Sequence, residues 1–440
     1  MIRHGIGLTL LAVLLAHLPT QPVQARTAAA KPEPVTFLWG VATAGHQYEG
    51  GDRHSNWAKW VAAGRTADAN PQGVQGYDMY EQDMDLAKDM GLNAWRMSIE
   101  WSRIEPVEGQ IDPAEVAHYH AMLAAARRRG LTPIVTLMHF AYPAWLDARG
   151  GWEGSAAAPA FNRHVAYMAK EFGPEVRWWL TFNEPNMFLQ GGYQNGFFPP
   201  GKTLALFSAD RVAHHLMQAH GLAYETLHGL CPQARVGFNM YATQFRVTGL
   251  EEGPSPIGPD ERWYLDAARG RLDFACFDYY CRTTLTQPRP HEGWEVYPQG
   301  FYNTIKRYHA WTGLPVLVAE NGLATRDLAP RQDGWTRAAY LVAHVKQLQR
   351  AQSEGVPVLG YVHWSITDNY EWGSYAPRFG LYSVEGRAGD FRRVPTDGVA
   401  AYRAIAAAGG VTPALEARYP GPDRAESQAA LPGAVASGAR

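Results

Sequence analysis

Eight short segments rich in apolar, β-branched and aromatic residues recur at intervals of roughly 35–55 residues, and this rhythm constrains the fold most. The segments are Phe37–Ala42, Ala94–Ile99, Thr132–Met138, Trp178–Phe182, Arg235–Met240, Phe274–Tyr280, Pro315–Val318 and Val358–Val362. Amphipathic stretches with helical spacing separate them, including Tyr77–Met90, Ala114–Arg129, Ala160–Phe172, Ala209–Leu230 and Thr336–Glu354. Because strands that alternate with helices lie parallel, the pattern predicts an α/β fold: a single (β/α)8 TIM barrel with its active site at the C-terminal ends of the strands.

The domain organisation follows from this pattern. We expect the barrel to occupy residues 35–410 of the 440-residue chain as one catalytic domain. Residues 26–34 predict a linker, and residues 411–440, rich in Ala, Gly and Pro without hydrophobic periodicity, predict a flexible C-terminal tail. The formal net charge of −2 and the lack of a long basic run argue against a nucleic-acid partner. The sequence does not indicate an oligomeric state.

Residues 1–25 predict a signal peptide. Arg3 and His4 form a short basic start, residues 5–18 are mostly apolar, and Val23-Gln24-Ala25 supplies a small-residue cleavage pattern. The apolar run is shorter than the roughly 20 residues that span a bilayer. We therefore expect an exported protein, periplasmic or secreted, without stable membrane insertion after leader removal. An uncleaved anchor is the alternative.

The cysteines and histidines indicate neither a disulfide nor a metal site. Cys276 and Cys281 fall on one predicted strand about 16 Å apart, too far for a bridge, so we expect them and Cys231 to be free and mostly buried. The closely spaced histidines do not have the i, i+4 spacing of helical zinc motifs; they are His118, His120, His214, His215 and His220. We expect no metal and no cofactor.

Polar residues gather where the predicted strands end, at the edge where barrels of this kind carry their active sites. They are Gln47, Glu49, Arg96, His139, Asn183, Glu184, Asp278, Tyr280, Glu320, Asn321 and Trp364. Glu184 and Glu320 each close a hydrophobic strand, where a charge is costly unless it faces a functional cavity. A buried salt-bridge pair that holds the barrel together is the structural alternative.

Such a pair of carboxylates is what glycoside hydrolysis requires. One protonates the leaving oxygen, while the other acts on the anomeric carbon directly or through water. A separation of about 5–5.5 Å gives retention of configuration and about 6.5–9.5 Å gives inversion. The sequence alone does not supply this distance for Glu184 and Glu320.

An ordered set of motifs then makes the prediction more specific. The motifs are the stretches 37–50 (FLWGVATAGHQYEG), 77–83 (YDMYEQD), 95–104 (WRMSIEWSRI), 181–185 (TFNEP), 320–322 (ENG), 364–372 (WSITDNYEW) and 378–381 (RFGL). Together, and in this order from about residue 37 to 405, they resemble the signatures of glycoside hydrolase family 1, the β-glucosidase-type family.

The resemblance implies a retaining, exo-acting β-glycosidase that removes terminal non-phosphorylated β-D-glycosyl residues from a β-glycoside or oligosaccharide. It implies Glu184 as acid/base and Glu320 as nucleophile of a double displacement. Arg96 would lie beside Glu320 and keep it ionised, and Tyr280 would donate a hydrogen bond to the same carboxylate. Glucoside is the expected substrate, with galactoside and fucoside left open.

The resemblance also implies a set of sugar-binding residues. Hydroxyl groups would be bound by Gln47, His139, Asn183, Glu371 and Trp372. Trp364 would form the floor, Phe379 would pack near the rim, and Asp278 belongs to the same substrate-binding set. For His139, Trp364 and Phe379, ordinary core packing is the alternative interpretation.

Several positions depart from the family pattern. Ala319 stands where Thr is usual and Phe140 where Trp is usual, so one local hydrogen bond and one sugar contact are absent. Asp278 stands where Asn is usual, and a further carboxylate would raise the pKa of Glu320 unless it were protonated or paired. The loop 192–201 lacks a common His. Glu371 would repel a 6-phosphate, which favours a non-phosphorylated sugar.

Two other functions remain open from the sequence. A catalytically impaired sugar-binding protein on the same barrel would need no turnover, but both carboxylates, Arg96 and Tyr280 are present. A cellulase-like endo-enzyme of the same clan would not account for the blocks around Gln47 and Glu371.

Overall fold

The computed structural model describes residues 36–247, 250–253, 260–284, 293–326 and 331–422. The predicted signal peptide and linker lie outside these residues. Eight parallel strands form a closed barrel: β1 Leu38–Ala42, β2 Ala94–Ser98, β3 Thr132–Thr136, β4 Trp178–Asn183, β5 Arg235–Tyr241, β6 Ala275–Asp278, β7 Val316–Glu320 and β8 Val358–Trp364. Each strand pairs with its sequence neighbours, and β1 closes the ring by pairing with β8. The predicted (β/α)8 fold is confirmed.

The seam between β1 and β8 joins the two ends of the domain. Leu38 lies opposite Gly360, and Ala42 lies opposite Trp364. The hydroxyl of Tyr402 donates hydrogen bonds to the carbonyl oxygens of Gly40 at 2.7 Å and Tyr361 at 3.1 Å, one on each side of the seam. The helix Asp397–Ala408, which contains Tyr402, therefore connects both strands of the seam from outside the barrel.

Helices cover the outer face of the barrel and connect its strands. The α-helices are Gly45–Tyr48, Asn56–Ala62, Gly76–Asp89, Trp101–Ile104, Pro113–Arg128, Ala157–Phe172, Pro185–Leu189, Leu206–Leu230, Glu261–Ala267, Pro298–Thr312, Arg337–Ser353, Asp397–Ala408 and Pro413–Arg418. Residues Ala144–Arg149 and Gly151–Glu153 form 3₁₀ turns, and Gln190–Gln194 forms a π-helical turn. Because both faces of the strands are covered, their residues are nearly all buried, as is usual for parallel sheets.

Other elements lie outside the predicted pattern. Tyr382–Glu385 pairs antiparallel with Arg392–Pro395, and a small three-stranded sheet contains Gln244–Val247, Leu250–Gly253 and Arg282–Thr284. The helices Pro298–Thr312 and Asp397–Ala408 were likewise not among the predicted stretches.

The predicted C-terminal tail begins with a short helix. Residues 413–418 form a helix that Thr412 caps by accepting a hydrogen bond from the backbone N–H of Leu415. Thr followed by Pro is a helix-start signal, and the side chain of Leu415 is buried. Ordered structure therefore continues to residue 422, and residues 423–440 lie outside the described part.

Two further predictions concern thiols and membranes. Cys231, Cys276 and Cys281 are all free and buried, as predicted. No helix among the described residues is both long and apolar enough to cross a bilayer.

Candidate active site

Glu184 follows β4 in a backbone conformation that few non-glycine residues adopt. Its φ of 40° and ψ of 61° lie in the left-handed region. The backbone N–H of Glu184 donates to the carbonyl oxygen of Asn239 at 2.8 Å, and Pro185 begins the next helix directly afterwards. The side chain is almost fully buried, and strained conformations of this kind cluster at functional sites.

Glu320 is the last residue of β7 and is held at both carboxylate oxygens. The guanidinium Nη1 of Arg96 donates to Oε1, and the hydroxyl of Tyr280 donates to Oε2. Arg96 Nη1 also donates to the carbonyl oxygen of Ala319 at 3.3 Å. The next glycine, Gly322, has no room for a Cβ, which would collide with the carbonyl oxygen of Trp364.

The two carboxylates face each other across the barrel mouth, and Asp278 from the end of β6 joins them. One oxygen atom from each of Glu184, Asp278 and Glu320 lies within 4.8 Å of the other two. This close approach fits the about 5–5.5 Å between carboxyl groups of a retaining mechanism better than the about 6.5–9.5 Å of an inverting one.

The electrostatic environments of Glu184 and Glu320 differ. Burial raises the pKa of Glu184 well above its usual range, and the negative charges of Asp278 and Glu320 raise it further. Burial also raises the pKa of Glu320, but the charge of Arg96 and the hydrogen bond from Tyr280 oppose that rise. Glu184 is therefore the better proton donor, and Glu320 is the better carboxylate nucleophile.

A hydrogen-bonded network connects Arg96 to the neighbouring strands. Arg96 Nη2 donates to Asn183 Oδ1 at 2.6 Å and to Asn239 Oδ1 at 3.4 Å, while Arg96 Nε donates to Thr136 Oγ1 at 3.3 Å. Asn239 Nδ2 donates to Asn183 Oδ1 at 2.6 Å and also to Asp278 Oδ2. The side-chain oxygen of Asn183 thus accepts two hydrogen bonds, which fixes the orientation of its amide.

A second polar group lies beside the carboxylates. Gln47 Nε2 donates to Glu371 Oε2 at 3.2 Å and to Asn369 Oδ1 at 3.1 Å, and the indole Nε1 of Trp364 donates to Glu371 Oε1 at 2.9 Å. Burial raises the pKa of Glu371 to about 8. These residues come from the two ends of the sequence and meet at the β1–β8 seam.

Aromatic rings surround His139 at the end of β3. Its imidazole stacks near Trp364, with centroids 5.7 Å and planes 23° apart, and near Trp372, with centroids 5.7 Å and planes 19° apart. Burial and the charge of Arg96 lower the pKa of His139 well below its usual range, so the ring is neutral. Trp372 also packs against Phe140, with centroids 4.8 Å apart.

Phe379 belongs to a separate aromatic group that includes Tyr280. Its ring centroid is 5.5 Å from that of Tyr280 and 6.5 Å from that of Trp294. Tyr241 lies 6.2 Å from Tyr280 and 6.4 Å from Trp294 by the same measure.

All residues predicted for the site are brought to this end of the barrel, whereas two other strand-end residues have structural partners. Glu49 pairs with Arg103 at 2.9 Å, and Asn321 hydrogen-bonds the hydroxyls of Tyr340 and Tyr361.

The sequence reasoning missed several neighbours of the site, chiefly Asn239, Asn369, His46 and Trp294. Asn239 had a usable signal, because it is a polar residue near the end of the fifth strand, the one strand end for which no candidate was named.

Comparison with known proteins agrees with this geometry. The family model described as "Glycosyl hydrolase family 1" matches residues 30–251 and 268–411. A β-galactosidase from Saccharolobus solfataricus is 30% identical over 87% of this chain and 96% of its own length. β-Glucosidase A from Thermotoga maritima is 29% identical over 80% of this chain and 93% of its own length.

Solved structures give the same result. A β-glycosidase from Pyrococcus horikoshii superposes with a TM-score of 0.76 at 29% identity, and covers 88% of this chain and 97% of its own. A family 1 β-glucosidase from Thermotoga maritima superposes with a TM-score of 0.77 at 26% identity, and covers 86% of this chain and 98% of its own.

Proposed function

Because this chain belongs to glycosyl hydrolase family 1 and is a retaining β-glycosidase, we propose that Glu184 is its acid/base and Glu320 its nucleophile. The observation that carries this assignment is the approach of their carboxylate oxygens to within 4.8 Å of each other. Such a close pair fits the spacing of a retaining mechanism, in which a carboxylate rather than water attacks the sugar first.

In the first step, the Glu320 carboxylate attacks the anomeric carbon while Glu184 gives its proton to the leaving oxygen, and the glycosidic C–O bond breaks. In the second step, Glu184 takes a proton from water, which attacks the anomeric carbon and releases Glu320. Arg96 and Tyr280 hold Glu320 in line for the attack through its two oxygens.

We assign the terminal sugar to the space between the carboxylates and the Gln47, Trp364 and Glu371 group. Two buried polar atoms there, Gln47 Oε1 and His139 Nδ1, lack a hydrogen-bond partner within the described part of the chain. Sugar hydroxyls would satisfy both, and Asn183 is placed for the 2-hydroxyl. The rings of Trp364 and Trp372 supply the apolar surface that the C–H face of a pyranose packs against.

The proposed substrate is a terminal, non-phosphorylated β-D-glucoside, with galactoside and fucoside as further substrates. Relatives named β-glucosidase and β-galactosidase support this range. We also propose that the protein is exported. The support is its leader-like first 25 residues, and detection of a mature protein that begins after Ala25 outside the cytoplasm would test it.

The first test compares nitrophenyl β-glucoside, β-galactoside and β-fucoside with wild type, Glu320→Gly and Glu184→Gly, with and without azide. We expect Glu320→Gly to be inactive until azide enters the space of the missing carboxylate and gives the α-glycosyl azide. Glu184→Gly should still form the covalent intermediate from a substrate with a good leaving group, and azide should then give the β-glycosyl azide.

The stereochemistry of the azide products decides the assignment. If the two variants gave each other's products, the roles of Glu184 and Glu320 would be reversed. If the wild type cleaved none of the three glycosides, the sugar-binding alternative would replace the proposal. Glu81→Gly, at an exposed position on the helix Gly76–Asp89, is the matched control and should behave as the wild type does.

A further inference from the structure

The barrel mouth contains a third carboxylate that the two-carboxylate mechanism does not use. Asp278 is fully buried at the end of β6, and one of its carboxylate oxygens lies within 4.8 Å of a carboxylate oxygen of Glu184 and of one of Glu320. Asp278 Oδ2 accepts a hydrogen bond from Asn239 Nδ2, which fixes the orientation of the carboxylate. Its Oδ1 accepts no hydrogen bond from the other described residues and is thus available to a protonated Glu184.

The charge balance of this cluster limits how many protons it can lose. Arg96 is the one cation in direct contact with Glu320, and its guanidinium is committed to Glu320 and to the two asparagines within the described residues. If Glu184 and Asp278 were both ionised beside Glu320, three carboxylates would share one guanidinium in a site without bulk solvent. Two like charges this close cannot both ionise easily, so one proton is retained between Glu184 and Asp278.

We propose, on the basis of the function assigned above, that Asp278 is a positioning residue that keeps Glu184 in its proton-donating form by accepting its hydrogen bond. In the first step the proton leaves Glu184 for the departing oxygen, while the charge of Glu320 is consumed in the new ester bond. The net charge of the cluster stays constant, because the negative charge moves from Glu320 to Glu184. Asp278 then repels the new charge on Glu184 and strengthens it as the base that takes a proton from water.

The titratable and charged groups that surround this pair come from several elements. They are Arg96 from β2, Tyr241 from β5, Cys276 from β6, Tyr280 after β6, Glu320 from β7 and Tyr308 from the helix Pro298–Thr312. Burial raises the pKa of each tyrosine and of Cys276, so these groups stay neutral at ordinary pH. Glu320 and Arg96 are therefore the charges that act on the pair.

The test is the pH dependence of kcat/KM in Asp278→Asn, which keeps the shape of the side chain and removes its charge. With a leaving group that needs protonation, such as an alkyl β-glucoside, we expect the basic limb to move to lower pH by about one unit or more. Above that limb the variant should then lose about tenfold in kcat/KM relative to wild type. With 2,4-dinitrophenyl β-glucoside, whose leaving group departs without a proton, the loss in kcat/KM should be much smaller than with the alkyl β-glucoside.

Two results would overturn the proposal: an unchanged basic limb in Asp278→Asn, or an equal loss on both substrates, which would indicate a structural role alone. Asp278→Ser provides a second charge-free variant if Asp278→Asn does not fold, and Asp85→Asn on the surface is the matched control. The proposed function is tested independently, since the azide products of the Glu320 and Glu184 variants do not depend on Asp278.

Discussion

Asn239 donates a hydrogen bond from its Nδ2 to the Oδ1 of Asn183 across 2.6 Å. The same amide nitrogen also donates to Asp278, so one residue near the end of β5 orients both a proposed sugar contact and the neighbour of the acid/base. A residue that touches neither the reacting carboxylates nor the sugar can therefore control both.

Asn239→Ala tests this relationship. Removal of the side chain leaves Asn183 with a single donor, Arg96, and we expect kcat/KM for nitrophenyl β-glucoside to fall about 10–100-fold, or about 1.4–3 kcal/mol. The loss should be smaller on the 2-deoxyglucoside, because that substrate lacks the hydroxyl assigned to Asn183. Asn303→Ala, on an outer helix, is the control. An equal loss on both substrates would contradict the assignment of Asn183.

Glu371 predicts discrimination against phosphorylated sugars. Since burial raises the pKa of Glu371 to about 8, its negative charge develops as the pH rises through that value. We expect 6-phospho-β-glucoside to be cleaved at least about 100-fold less efficiently than the glucoside, with a larger ratio at about pH 8.5 than at about pH 6.5. In Glu371→Gln the ratio should not depend on pH over this range. Efficient cleavage of the phosphorylated substrate by wild type would contradict the proposed repulsion between Glu371 and the 6-phosphate.

Glu100 predicts an effect of pH on stability. Burial, aided by the charge of Glu49, raises the pKa of Glu100 from 4.5 to about 8 in the folded protein. The unfolded chain therefore ionises first, and the contribution of this residue to stability is lost as the pH rises from about 4.5 to about 8. Glu100→Gln keeps an acceptor for Ser98 and should gain about 2–4 kcal/mol relative to wild type between about pH 5 and about pH 8.

Denaturant unfolding at the two pH values measures this gain. The exposed Glu81→Gln variant should show no such difference from wild type. A pH-independent offset for Glu100→Gln would mean that Glu100 is ionised in the folded state.

The cysteines predict slow thiol chemistry. All three are buried, and burial raises the pKa of Cys281 to about 12 and that of Cys276 well above its usual range. We expect the native protein to react with Ellman's reagent far more slowly than a free thiol does, and the denatured protein to titrate three thiols. Rapid labelling of the native protein would show that the barrel opens locally near β6.

The barrel was predictable because its strands are short, apolar and regularly spaced, and the ends of those strands carried most of the site. Asn239 had the same strand-end signal, but the local sequence does not indicate which residues it contacts. Asn239 became important only when β5 was placed between β4 and β6, next to Asn183 and Asp278.

The helix at the start of the predicted tail was not foreseen for a different reason. Thr412 and Pro413 form a helix start, but the Ala- and Gly-rich composition around them favoured a prediction of flexible chain. The backbone of Glu184 also could not be foreseen, since its left-handed conformation depends on the hydrogen bond to Asn239 rather than on its own sequence neighbours.

The proposed sugar site needs residues from both ends of the sequence, because the first and last barrel strands pair beside it. Gln47 and Glu371 are 324 positions apart, whereas Glu184 and Glu320 lie on strands within the interior of the sequence. A chain that ended before β8 would contain both reacting carboxylates but would lack Trp364, Glu371 and Trp372 from the proposed sugar-binding set. Contacts this distant in sequence form late, so during synthesis the protein acquires the groups for chemistry before it acquires the ability to recognise what to cleave.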